Sequence, residues 1–477
     1  MTKFYIDQHG CAKNQTDGEL ITGFLCEKGY VHTFNPDEAD FILINSCGFI
    51  ESAKKESIDA IYEVNQSYPN AKIILSGCLA ERYAEELYES IPELAGVFGN
   101  GDIAKIAEFM KTIEKDGRAV KTFPQEGICQ GKRPVLYNFK GSAFVKITEG
   151  CSNHCSFCAI PLIRGELRSR SVQDICNEIK QLVKDGIYEI NLIGQDLAAF
   201  TINNEQLTIT DNGEKSSALS VLLKEISKIE GNFIIRLLYI HPDHFNKDIL
   251  DAVKSDARFL HYFDIPFQSG ADSVIKRMNR TGSYKTYVKL VDDIRAVLPD
   301  VVLRTTFLTG FPGETEKDSE QTEVFLQTIE PDWSGCFPYS REDDTPAFTM
   351  KPRVPARTAQ KRAQKLEELQ TEITQNKLLA YVGKEFDVLV EEIIQLDEKI
   401  AEDASEGLAL GRAWFQAPEV DGCVVIRYDR DEKNEVDEVK PGNVVRCKVI
   451  SSTGVDLDSR FISLVKAFPE KSAREFL

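Results

Sequence analysis

Over the first 120 residues, short apolar runs alternate with longer stretches of helical periodicity. Lys3-Phe4-Tyr5-Ile6-Asp7, Phe41-Ile42-Leu43-Ile44-Asn45 and Lys72-Ile73-Ile74-Leu75-Ser76 read as strands, each followed by a helix: about Thr16 to Lys28, a second through Glu63, and a third from near Ala80. Continuous apolar strands between helices predict a parallel sheet covered on both faces, a doubly wound α/β domain. From Ser142 the alternation resumes with six strand candidates, Ala143–Ile147, Glu189–Ile193, Phe233–Tyr239, Phe259–Ile265, Val301–Leu308 and Trp333–Tyr339. Six β/α units predict an incomplete TIM-type barrel with its chemistry at the C-terminal mouth. Beyond residue 380 the pattern changes to short alternating strands such as Phe386–Val390, Cys423–Ile426 and Val444–Val449, separated by turn residues. That pattern predicts a small antiparallel, OB-like β-barrel.

The expected organisation is therefore an N-terminal domain (1–122), a linker (123–141), a central domain (142–350), a connector helix (351–380), a small barrel (381–467) and a tail (468–477). The helix Arg357–Leu379 is rich in Lys, Gln and Glu, which predicts a solvated connector.

The cysteines add chemistry to this outline. Glu149-Gly150-Cys151-Ser152-Asn153-His154-Cys155-Ser156-Phe157-Cys158 follows the first central strand with Cys-x-x-x-Cys-x-x-Cys spacing. Three thiolates on so tight a loop suit an iron–sulfur cluster, and they leave one iron of a four-iron cluster open. Zinc is the alternative, with His154 as a fourth ligand. Cys11, Cys47 and Cys78 each lie at the C-terminal end of an N-terminal strand. Open α/β sheets bind ligands at that edge, so these three form a second candidate set. Cys26, Cys129, Cys176, Cys336, Cys423 and Cys447 read as packing or incidental. Gln195, and the turn Thr309-Gly310-Phe311-Pro312-Gly313-Glu314-Thr315, follow other central strands and are candidate cofactor contacts.

Composition narrows the setting. The 477 residues are 42 % hydrophobic and 28 % charged, as in a soluble multidomain protein, and no run is long enough for a membrane span. Met1 to Gly10 has no signal-peptide character, and twelve unevenly spaced cysteines fit a reducing cytoplasm. The net charge of −19 favours basic partners over nucleic acid. Residues 381–477 alone hold 21 acidic and 13 basic side chains, a net of −8. The barrel thus has the wrong sign for a nucleic-acid groove, with Trp414-Phe415 its one conspicuous aromatic pair.

The ordered set resembles the methylthiotransferases among radical S-adenosylmethionine (SAM) enzymes, in which the final barrel is called a TRAM domain. Gly10-Cys11-Ala12-Lys13-Asn14, Asn45-Ser46-Cys47, Ser76-Gly77-Cys78 and Gly310-Phe311-Pro312-Gly313-Glu314-Thr315 carry the likeness. The stretches Ile160–Arg170, Tyr262–Pro266 and Ala413–Gly422 look like the RimO type, which modifies an aspartate of a small-subunit ribosomal protein. Gln8-His9 before Gly10, and Ala12 in place of a proline, depart from that type. The resemblance implies two [4Fe–4S] clusters and SAM. Cys151, Cys155 and Cys158 would hold the cluster that splits SAM to a radical; Cys11, Cys47 and Cys78 would hold the one that delivers a methylated sulfur. It further implies Phe157 and Ile160 near the adenine, weaker contacts from Gln195 and Glu314, and a reducing electron donor. The expected substrate is a basic ribosomal protein, met free or on the assembling ribosome. A tRNA methylthiotransferase is the runner-up, and a non-catalytic iron–sulfur RNA-binding protein the alternative of another class.

Overall fold

A computed structural model describes residues 1–128, 130–209, 215–395, 405–469, 472 and 474–476. Cys129 lies outside the described residues.

The N-terminal sheet comprises β1 (Lys3–Gln8), β2 (Val31–His32), β3 (Phe41–Ser46), β4 (Lys72–Gly77), β5 (Leu94–Phe98) and β6 (Ala119–Lys121). The strands are all parallel, in the order β2-β1-β3-β4-β5-β6. Every residue of β3 is buried, as the unbroken apolar run requires of a strand covered on both faces. Helix α1 runs Ala12–Glu27, α2 Glu51–Ser67 and α3 Cys78–Arg82. Helix α1 thus starts four residues before the expected Thr16, and α3 opens at Cys78, two residues before the expected Ala80. The start of α1 is hidden because its buried surface is polar: Asn14, Gln15, Thr16, Asp17 and Glu19 are all buried.

The second half of the segment expected to be a linker is packed: Arg133, Val135, Leu136, Tyr137 and Asn138 are buried. Here β7 (Val135–Leu136) pairs in parallel with a strand of the tail, Glu475–Phe476. A two-residue strand between Pro134 and Gly141 is too short to leave a periodic pattern.

The central domain carries β8 (Ser142–Lys146), the antiparallel pair β9 (Thr148–Glu149) and β10 (Arg168–Ser169), then β11 (Glu189–Ile193) and a small hairpin of β12 (Leu207–Ile209) and β13 (Lys215–Ser217). It continues with β14 (Ile234–Leu237), β15 (Phe259–Asp264), β16 (Val302–Thr309) and β17 (Trp333–Pro338). Six of these form one parallel sheet, β17-β16-β15-β14-β11-β8, each within one or two residues of the run that predicts it. The connector helix, Ala356–Leu379, has a solvated face and one buried stripe, Ala359, Ala363, Leu366, Gln370, Thr374 and Leu378. Spacings of three and four place that stripe on one side.

The final five strands, β18 (Glu385–Ile393), β19 (Glu406–Arg412), β20 (Val424–Asp429), β21 (Val444–Thr453) and β22 (Asp456–Lys466), close a barrel in the order β18-β19-β20-β22-β21. All contacts are antiparallel except β20 with β22, which is parallel. Cys423 precedes its strand by one residue. Phe415 is buried and stacked on Tyr381 with centroids 4.2 Å apart, and the indole of Trp333 donates to its carbonyl at 2.8 Å. This aromatic therefore anchors the barrel to the rest of the chain instead of offering a stacking face to bases. Beside it, the Glu189 carboxylate accepts from Arg236 of β14 at 2.9 Å and from Arg412 of β19 at 2.6 Å. Among the described residues no helix is long and apolar enough to cross a membrane.

Candidate active site

The three N-terminal cysteines follow the ends of three separate strands, and Asn14 ties two of those ends together. Its Nδ2 donates to the carbonyls of His9 at 2.8 Å, Asn45 at 3.0 Å and Ser46 at 3.1 Å, which holds the ends of β1 and β3 against α1. The loop after β3 also lies directly on the start of α3: a Cβ on Gly48 would stand 2.7 Å from the Cys78 carbonyl. Only glycine permits that approach, and it brings Cys47 and Cys78 side by side.

The Cys151–Cys158 loop is fixed by backbone bonds at several points. Cys151 N–H donates to Gly165 O at 3.0 Å, Cys158 N–H to Cys155 O at 3.0 Å and Ser156 N–H to Met278 O at 3.0 Å. Gly150 has φ +70°, and a Cβ there would meet the Glu166 carbonyl at 2.2 Å. We expect Gly150→Ala to displace the whole loop, because strained backbone and a hard clash combine. Iron analysis after anaerobic reconstitution should show about half the wild-type content, with one four-iron cluster lost.

Both cysteine sets face one cavity of about 340 Å³. Cys11, Cys47 and Cys78 line it from the N-terminal domain, and Cys151, Cys155 and Cys158 from the central domain. Phe157, Ile160 and Gln195 line it as well. Phe157 rests on a small cluster that includes Val274, Met278 and Phe311. Both polar atoms of the Gln195 amide are buried without a hydrogen-bond partner, so they are available to a bound molecule. Glu314 is not among the lining residues. One of its oxygens accepts from the N–H groups of Gly310 and Phe311 at 2.7 and 3.2 Å, and the other pairs with Arg362 at 2.8 Å. The expected cofactor contact is instead the brace of its own turn. His154 is exposed and approaches Glu166 at 3.7 Å. Among the described residues no three His, Cys, Asp or Glu side chains are gathered to hold a single metal ion.

The structure adds residues that the motifs do not single out. Arg164 donates to Cys78 Sγ at 3.3 Å and pairs with Asp17 and Glu149, each at 2.8 Å. His241 Nε2 lies 3.7 Å from Cys155 Sγ, and Tyr239, Arg280 and Lys13 complete the polar wall. Burial pushes the thiols of Cys47, Cys151 and Cys158 up to about 12. Burial also acts on Cys11, but the charges of Lys13 and Arg164 outweigh it and lower that thiol. Lys13 is itself lowered to about 8, chiefly by burial. Thiolates in such a place need a cationic partner, and iron supplies one. Three cysteines per set on one cavity, with an unpartnered amide on its wall, fit two clusters and a polar ligand.

The domain order has counterparts in known families. Residues 3–99 match the model described as uncharacterized protein family UPF0004, residues 145–326 the radical SAM superfamily, and residues 382–462 the TRAM domain. The chain is 49 % identical over 470 residues to the ribosomal protein uS12 methylthiotransferase RimO of Treponema denticola, covering 95 % of this chain and 99 % of that one. The chain belongs to the RimO-type methylthiotransferases. A second RimO, from a Thermoanaerobacter species, is 38 % identical and covers 94 % of this chain and 97 % of its own. Among solved structures, the radical SAM methyltransferase TsrM of Kitasatospora setae shares the fold with a TM-score of 0.52 at 15 % identity, over 73 % of this chain and 75 % of that one. The RimO-type stretch Ile160–Arg170 proves to contain both a wall of the cavity, Ile160, and the guanidinium on Cys78, Arg164.

Proposed function

We propose that this chain transfers a methylthio group to an aspartate side chain of ribosomal protein uS12, with two [4Fe–4S] clusters and SAM as its cofactors. The observation that carries the reading is the single cavity faced by two three-cysteine sets from different domains, in a chain alike over 95 % of its length to a relative named as a uS12 methylthiotransferase. Cys151, Cys155 and Cys158 hold one cluster, and Cys11, Cys47 and Cys78 the other. When bound, the clusters and SAM supply the electron, the radical and the methylated sulfur that the transfer needs.

The protein's own groups bind, orient and exclude water. Phe157 and Ile160 offer an apolar wall for the flat part of SAM, and the free Gln195 amide offers a donor and an acceptor beside it. Arg164 balances charge at Cys78 while its bond to Glu149 steadies the approach to Cys151. The acidic barrel suits a basic ribosomal protein, and Phe415 is occupied in packing rather than left for bases. A reducing electron donor completes the set of partners, with no part for a membrane.

The test is an anaerobic reaction of the reconstituted chain with SAM, a chemical reductant and either purified uS12 or bulk tRNA. Mass spectrometry should find a methylthio gain on one aspartate of uS12 and none on tRNA. A gain on tRNA alone would make this a tRNA-modifying enzyme.

A further inference from the structure

Lys13 is the second residue of α1 and is 9 % exposed, and it lines the cavity that both cysteine sets face. Its Nζ stands 2.9 Å from the centroid of the Tyr239 ring. Tyr239 closes the end of β14 in the left-handed region, φ +66°, which turns the ring under the ammonium. Among the described residues Lys13 forms no ion pair. The neighbouring cations are already matched: Arg164 by Asp17 and Glu149, and Lys146 by Glu149 at 2.6 Å. Arg280 donates to the carbonyls of Pro266 and Phe267. The acidic groups that act on Lys13 are the Cys11 thiol, two residues before it, and Asp264 on β15, whose carboxylate accepts from Tyr239 N–H at 3.3 Å and also feels Arg304.

The protein as a whole carries a net charge of −19, yet no aspartate or glutamate lines this cavity among the described residues. A buried ammonium over an aromatic ring is only partly compensated, and a buried cation favours an anionic partner strongly. We propose that Lys13 Nζ receives the side-chain carboxylate of the aspartate being modified, and so sets the preference for an acidic residue. This rests on the uS12 reading above. A carboxylate held there leaves the adjoining β-carbon, one bond away, in the space that both cysteine sets face.

The competing source of a carboxylate is SAM itself, and the experiment separates the two. The modified aspartate is first identified by mass spectrometry in the wild-type reaction. Labelled uS12, with that residue as aspartate or as asparagine, is then titrated by fluorescence anisotropy against the cluster-loaded full chain without reductant. The wild type should bind the aspartate form about 30-fold more tightly, the size of a buried charge-assisted contact. Lys13→Met should abolish the preference, by weakening the aspartate form and sparing the asparagine form, whereas Lys13→Arg should keep most of it. A purely structural role for Lys13 would weaken both forms alike. Equal wild-type affinity for the two forms overturns the assignment without any variant. So does a Lys13→Met chain that keeps the preference and loses SAM affinity, which would give the ammonium to the SAM carboxylate. If the wild type adds no methylthio group to uS12, the substrate reading fails first and this inference with it.

Discussion

Replacing Cys151, Cys155 and Cys158 together by alanine should leave the chain with about half its iron and no ability to cleave SAM. The complementary replacement of Cys11, Cys47 and Cys78 should also halve the iron, yet that chain should still form 5′-deoxyadenosine and methionine while transferring no methylthio group. The difference follows from where the two sets sit. One rides on the ends of β1, β3 and β4, and the other on a loop after β8 that has its own backbone bonds to Gly165 and Met278. Removing one set leaves the scaffold of the other in place, so the losses should divide by domain. Iron and sulfide analysis with chromatography of the SAM products reads both outcomes. If either variant lost all its iron, or both stopped cleaving SAM, the division of roles would be wrong.

The second large effect concerns stability. Glu189 is 2 % exposed and lies between Arg236, fully buried, and Arg412, itself 5 % exposed. Glu189→Ala would leave the buried Arg236 without an ion-pair partner and Arg412 with Glu391 alone, and should cost about 3–5 kcal/mol, most of it at the junction of the central domain and the barrel. Faster hydrogen exchange in β18 and β19, and earlier thermal release of the barrel, would report it. Glu189→Gln keeps an acceptor without the charge and should fall between. The pH dependence has a definite sign. Burial alone would raise the Glu189 pKa, but Arg412 and Arg236 outweigh it and hold the carboxyl well below the usual carboxylate range. A depressed folded pKa contributes stability above the unfolded value of about 4.3 and loses it as pH falls further. The gap between wild type and Glu189→Ala should therefore be full at neutral pH and shrink below about pH 4. An unchanged gap at low pH would count against the ion network as its source.

Strands were legible in the amino-acid order because buried parallel strands have little choice of side chain. The runs ending at Cys11, Cys47 and Cys78 therefore marked one sheet edge, and with it three cysteines on one cavity, without any contact being known. Helix α1 shows where that reasoning stops. Gln15 donates to Asn138 at 2.7 Å, Glu19 pairs with Arg133 at 2.5 Å and Asp17 with Arg164 at 2.8 Å, so its buried surface is built of polar residues. No amphipathic stripe announces such a helix, and Lys13 reads like an ordinary surface lysine. Glu314 fails in the opposite direction. An acid in a glycine-rich turn looks like a ligand group until its oxygens are seen to be spent on Gly310, Phe311 and Arg362. Arg164 and Tyr239 needed the tertiary structure, since neither spacing nor residue type ties them to a cysteine many positions away.

The two parallel sheets present their C-terminal edges to the same cavity: Cys11, Cys47 and Cys78 from one, Cys151, Gln195, Tyr239 and Pro266 from the other. Glu342, from the loop after β17, clamps this arrangement by taking Arg82 at 2.6 Å and Lys54 at 3.1 Å from the N-terminal domain. A cavity of about 340 Å³ holds side chains and small molecules, with no room for a folded surface. On the proposed function, a protein substrate would reach this cavity as a slender projection such as a loop tip. Target choice would then depend on protrusion as much as on residue type, and an identical aspartate on a flat face or within a helix would go untouched.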